Sequence, residues 1–158
     1  MTSAKSQLKL SNPYYLLATG FGSGLSSIAP GTIGSLVSIP FWFLMYWLLP
    51  ISLCWFIILF CFGIGLIICK WTSGNIQVHD HRSIVWDEFI GMWITLMVIP
   101  TVNLQWVLIA FVLFRFFDIL KPWPINWFDQ KIEGGLGIML DDIIGAIFSI
   151  IIIILISF

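Results

Sequence analysis

Charge is what this sequence has least of. Only 9% of its 158 residues are charged, seven Lys or Arg and eight Asp or Glu, with a formal net charge of −1. No basic tract is present, so the electrostatic footprint of a nucleic-acid-binding protein is missing. Cysteine is scarce as well: Cys54, Cys61 and Cys69 fall inside one apolar run with no His or acidic residue beside them. They read as packing residues, not as metal ligands or disulfide partners. A Gly-Lys-Ser/Thr ending is absent, which excludes a nucleotide P-loop. No internal repeat or low-complexity linker appears, and the expectation is one domain over residues 1–158. The first twenty residues lack a short apolar core with a small-residue cleavage site, so a cleaved signal peptide is not expected.

Apolar surface, by contrast, is abundant. The chain is 59% hydrophobic, holds nine Trp and fourteen Phe, and has a mean hydropathy of +1.03. A soluble domain of this size could not hide that much, so the expected class is an all-α, polytopic membrane helical bundle. Apolar runs at 34–49, 51–69, 89–100, 104–114 and 143–158 predict about five helices. Several are shorter than the ~20 residues that span a bilayer, so some are expected to be short or only partly inserted. Pro50 makes a hairpin of the first two runs, and Pro100-Thr101-Val102-Asn103 breaks the next pair. The isoleucine-rich last run reads as a helix, because beside lipid only a helix satisfies its own backbone. A polar lead-in precedes all of this, with a helix expected after Asn12-Pro13. If 89–100 and 104–114 are separate legs of a hairpin, every cation falls on one side, which the positive-inside tendency makes cytoplasmic. A single kinked span would instead put the two acidic islands on opposite faces.

The charges gather in two islands between the runs, KWTSGNIQVHDHRSIVWDE at 70–88 and RFFDILKPWPINWFDQKIEGGLGIMLDD at 115–142. Ionisable residues crowded at the ends of apolar segments are functional candidates. Arg115, Asp118 and Lys121 are spaced three apart, which places successive members near each other on a helix face. Pro122 and Pro124 should stop that helix. Gly134, Gly135 and Gly137 predict a tight backbone path before Asp141 and Asp142. A third, uncharged island, TGFGSGLSSIAPGTIGS at 19–35, ends at the first apolar run. Freed amides at a helix N-terminus make a phosphate cradle; small residues for close helix contact are the plainer reading. Asp87, Glu88, Asp118, Asp141 and Asp142 are hard oxygen donors suited to Mg²⁺. Arg115 and Lys121 are suited to phosphate. Plainer roles exist for these too. Asp141 or Asp142 could cap the last helix, Asp87 and Glu88 could favour a helix starting at Phe89, and Arg115 with Asp118 could be a structural ion pair. His79 and His81 could be solvated loop residues, and Trp123 and Trp127 could anchor the membrane interface.

Taken together, PGTIGS (30–35), HDHRSIVWDEFIGMW (79–93), FRFFDILKPWPI (114–125) and GGLGIMLDDIIGA (134–146) resemble the phosphatidylglycerophosphatase A family. The resemblance covers the chain from about Leu17 to the last helix. It implies a Mg²⁺-dependent phosphatase of the bacterial cytoplasmic (inner) membrane, its active site facing the cytoplasm, converting phosphatidylglycerophosphate into phosphatidylglycerol. On that basis Asp87, Glu88, Asp141 and Asp142 are expected to hold the metal. Thr32, Ser35, Arg115 and Lys121 are expected to hold the substrate phosphate, with His79, Asp80 and Asp118 catalytic. Other phosphatase chemistries fit poorly: there is no cysteine in an arginine-bearing phosphate loop, no DxDx(T/V) element and no histidine-phosphatase set. The competing expectation is a small ion or proton transporter using the same carboxylates. Position separates the two, since a transporter needs polar groups near the bilayer midplane.

Overall fold

Proline and asparagine set most of the helix limits in the computed structural model, which describes residues 8–77, 81–132 and 134–158. The Asn12 side chain accepts the Tyr14 N–H at 2.9 Å and opens α1, Pro13–Ala18. A short 3-10 turn at Ser23–Leu25 follows. Pro30 starts α2, Pro30–Leu48, at the position where its missing N–H costs nothing. Pro50 then separates α2 from α3, Ile51–Ile76. α4 runs over Trp86–Leu96, and Asn103 caps α5, Leu104–Leu120, by accepting the Trp106 N–H at 2.9 Å. Lys121, at φ 41°, turns the chain out of α5, and Pro122 and Pro124 prevent its continuation. After a cis Trp123–Pro124 peptide come α6, Ile125–Lys131, and α7, Gly134–Ser157.

All five expected apolar runs are helical, and among the described residues no strand occurs. Three helices, α2, α3 and α7 (19, 26 and 24 residues), are long and apolar enough to cross a membrane. At about 1.5 Å per residue, α4 and α5 are too short to do so comfortably. They form the expected hairpin, which returns the chain to the end of the bundle it left. One local expectation is corrected. The glycines before Asp141 do not form a turn: only Gly134 has a positive φ, 78°, while Gly135 and Gly137 already belong to α7. Asp141 and Asp142 therefore sit well inside a helix and cap nothing.

The fold is organised around α7, which packs against α3, α4, α5 and α6. Glycine permits its closest approaches. A methyl group on Gly135 would overlap the Leu66 carbonyl oxygen of α3, and one on Gly91 of α4 would lie 3.1 Å from the Asp142 carbonyl oxygen. Outside, Leu44, Trp47, Phe56, Leu59, Phe60 and Leu155 are exposed, whereas Ser35, Ser38, Thr95 and Ser149 are fully buried. That distribution suits a lipid surround, where apolar side chains gain nothing by hiding and polar ones need partners. Each of these four hydroxyls donates to a carbonyl three or four residues earlier in its own helix, at 2.7–2.9 Å. Substituting alanine for Gly135 should therefore force α7 away from α3 and destabilise the detergent-solubilised protein by about 1–3 kcal/mol. The same change at Gly63 of α3, where an added methyl meets nothing within 4 Å, should be neutral or stabilising by up to about 1 kcal/mol. Equal thermal shifts in the two variants would contradict the close-approach role of Gly135.

Candidate active site

Three helix ends and the interior of a fourth helix enclose a cavity of about 340 Å³. Ala29, Pro30, Gly31 and Thr32 contribute from the start of α2, and Asp87 and Glu88 from the first turn of α4. Arg115, Asp118, Ile119 and Lys121 come from the end of α5, Asp141 and Asp142 from α7, and Arg82 and Ile84 from the segment before α4. Eight of the expected site residues, Thr32, Asp87, Glu88, Arg115, Asp118, Lys121, Asp141 and Asp142, thus line one space. Ser35 lies behind it, fully buried; its hydroxyl donates to the Gly31 carbonyl at 2.9 Å and accepts from Arg115 Nη1 at 3.4 Å. His79 and Asp80 fall outside the described residues.

The electrostatics divide the cavity into a paired half and a half short of positive charge. Arg115 pairs with Asp118 one helical turn away and with Glu88 at 3.8 Å. Lys121 Nζ donates to Asp141 Oδ2 at 2.6 Å, and the Asp142 N–H donates to Asp141 Oδ1 at 3.0 Å. Asp87, Glu88 and Asp142 form the other half, each offering an oxygen within 4.8 Å of the others. Glu88 Oε2 and Asp142 Oδ2 are buried without a hydrogen-bond partner. The Asp118 carboxyl adds a further negative charge beside Asp142. Burial pushes the Glu88 carboxyl well above the usual carboxylate range, and the Asp142 and Asp118 charges push it further. A hydrogen bond with Asp87 and the Arg115 charge offset only part of this.

Such a site is costly as it stands and cheap with a hard divalent cation in it. Three convergent, desolvated carboxylates, of which Glu88 and Asp142 keep an orphaned oxygen, match the donor set of an ion that takes a few carboxylates and retains waters. Space beside them is reserved for function too: a methyl group on Gly31 would overlap Glu88 Oε1 and come within 3.2 Å of both terminal Arg115 nitrogens. At the start of α2, Pro30 has no N–H and that of Ile33 already bonds the Ala29 carbonyl at 3.0 Å. The amides of Gly31 and Thr32 are left at the cavity wall, where the positive end of the helix favours an anion.

Sequence reasoning missed Arg82 and Gly31. Arg82 carried a signal, a cation five residues before Asp87 in a chain nearly free of charge. Gly31 carried none beyond membership of the small-residue island, because its contact with Glu88 is made across the fold. Asp141 is engaged by Lys121 and stands apart from the three-carboxylate cluster, while Arg115 and Asp118 do form the ion pair that spacing allowed.

Comparison with known proteins agrees with this geometry. The family model described as phosphatidylglycerophosphatase A matches residues 16–157. Phosphatidylglycerophosphatase A of Escherichia coli (strain K12) is 58% identical over 146 residues, covering 92% of this chain and 84% of that protein. Its counterpart in Haemophilus influenzae is 48% identical over 152 residues, covering 96% and 93%. A Bacteroides thetaiotaomicron protein provisionally named phosphatidylinositol-3-phosphatase is 38% identical over 149 residues, covering 87% and 89%. No solved structure matches significantly.

Adding Mg²⁺ or Mn²⁺ should raise the thermal midpoint of the solubilised protein, since an ion bound only by the folded state stabilises it by mass action. Asp142→Asn should abolish that shift. In metal-free buffer the same variant should be as stable as the parent or more so, because it removes an uncompensated buried charge. A large loss of stability without metal would instead mark Asp142 as structural.

Proposed function

The chain belongs to the phosphatidylglycerophosphatase A family, and from that premise we propose that it hydrolyses the terminal phosphate of phosphatidylglycerophosphate to give phosphatidylglycerol, with Mg²⁺ held by Asp87, Glu88 and Asp142. One observation carries the reading: the three-carboxylate cluster shares a cavity with Arg115, Lys121 and the N-terminus of α2. A Mg²⁺ ion held by these three carboxylates would supply positive charge to offset that of the phosphoryl oxygens. The Gly31 and Thr32 amides and the Thr32 hydroxyl bind those oxygens from the adjoining start of α2, as other helix N-termini hold phosphate. Arg115 presents its planar fork, held in place by Ser35, Glu88 and Asp118. Lys121, anchored on Asp141, adds a point charge. Asp118 orients a water and accepts its proton as the water oxygen attacks phosphorus. The bond from phosphorus to the glycerol oxygen breaks, and Asp80 or His79, two or three residues before Arg82, returns a proton to the leaving alkoxide. Inorganic phosphate and phosphatidylglycerol result.

Purified protein should release phosphate from phosphatidylglycerophosphate with Mg²⁺ and stop on chelation. Glu88→Gln and Asp142→Asn should each lower kcat by about three orders of magnitude, because metal stabilisation of phosphoryl charge contributes several kcal/mol. Activity indifferent to chelation would remove the metal from the reading; no activity on this lipid would remove the substrate.

The reading also places the cavity at the cytoplasmic face of a bacterial inner membrane, supported by the cations crowding that end. In cells carrying a variant without Cys54, Cys61 and Cys69, cysteines at Asn75 and Asn126 should react with an impermeant reagent only after permeabilisation. One at Ile51, beside the exposed turn between α2 and α3, should react in intact spheroplasts. The reverse pattern would invert the orientation.

A further inference from the structure

Arg82 is exposed, lines the cavity and enters no ion pair among the described residues. The other two cavity cations are committed, Arg115 to Glu88 and Asp118 and Lys121 to Asp141. Its segment is also held in place. The Val85 N–H bonds the Ala18 carbonyl at 2.8 Å, the Ile84 N–H bonds the His81 carbonyl at 2.7 Å, and His81 Nδ1 accepts the Ser83 N–H at 3.2 Å. Gly24 lies so close that any side chain there would overlap the Ser83 carbonyl oxygen. A guanidinium on an anchored loop, open to solvent and aimed into an anion site, is a binding group that the terminal phosphate does not account for.

Resting on the reaction above, the chemistry of the substrate supplies a partner. Its terminal phosphate must sit at the buried base, against Asp142, Glu88 and the start of α2. The next anion along the lipid is the phosphodiester, one glycerol away on the side of the diacylglycerol, and it must lie nearer the mouth. Exposed Ile119, at the same cavity, marks where that side meets lipid. We propose that Arg82 binds this lipid phosphodiester and so makes the site select a monoester that also carries a diester over one that lacks it.

The experiment uses the full-length protein in mixed micelles of constant surface charge, with phosphatidylglycerophosphate as substrate and two inhibitors that each carry half of it. Phosphatidylglycerol keeps the diester, and inorganic phosphate represents the monoester. Arg82→Gln should raise KM about tenfold or more and weaken inhibition by phosphatidylglycerol to a similar degree, the loss expected for a charge-assisted contact to phosphate. Inhibition by inorganic phosphate, the metal-induced thermal shift and kcat should change little, and Arg82→Lys should recover part of the binding. Equal weakening of both inhibitors would assign Arg82 to the terminal phosphate and overturn the proposal. So would unchanged KM in Arg82→Gln, or a parent enzyme that phosphatidylglycerol does not inhibit. A parent inactive on phosphatidylglycerophosphate would instead overturn the reaction itself, whatever Arg82 does.

Discussion

Carboxylates repel one another and resist leaving water, yet this fold puts five of the chain's eight in one cavity. Two of them, Glu88 and Asp142, keep an oxygen buried without a partner. The rest of the structure is arranged to make that possible. α2 and α4 both set out from one end of the bundle and α5 returns to it, so that the start of α2, the start of α4 and the end of α5 meet there. Glycines at 31 and 91 keep the walls close enough for the charges to share partners. The first turn of α4 places Asp87 and Glu88 where the helix dipole favours them, which lowers the cost of assembly without removing it. A cation among Asp87, Glu88 and Asp142 could remove the rest.

Much of this was legible in the residues, and the reason is scarcity. With 9% charged residues and long uncharged runs, the islands stood out as candidate sites, and the apolar runs with their proline breaks located the helices between them. What was not legible depends on contacts between distant segments. The glycines of GGLG read as a turn because glycine usually punctuates a chain in water. Here Gly135 is a helical residue whose missing side chain lets α7 touch the α3 backbone. Ser35 read as a phosphate ligand from its place in PGTIGS, whereas the fold buries it as a support for Arg115. Roles among the acids were equally hidden, since nothing in Asp141-Asp142 says which faces Lys121 and which faces Glu88.

The buried hydroxyls bear on the choice between enzyme and transporter. A transport path needs polar groups that exchange partners along the bilayer. In this bundle the hydroxyls of Ser38, Thr95 and Ser149, away from the cavity, are each closed onto their own helix. They offer a moving ion no continuous chain of donors. Among the described residues, the ionisable groups that converge on one another do so at the cavity.

That convergence suits a lipid substrate. A phospholipid keeps its headgroup at the membrane surface because burying phosphate in hydrocarbon is prohibitive. An enzyme acting on the headgroup must therefore bring its charges to the level where helices end. Short helices achieve this. Had α4 and α5 been extended to full spans while keeping their turn at 97–103, Glu88 and Arg115 would sit farther out in water. There the carboxylates would be solvated, the orphaned oxygens satisfied, and the demand for a cation weakened. The truncated hairpin suits residues at the boundary, dry enough to favour a bound cation and open enough to admit the headgroup of a lipid whose chains stay in the bilayer. Helix length, which looked like a shortfall against the thickness of a membrane, fits a site that works at headgroup level.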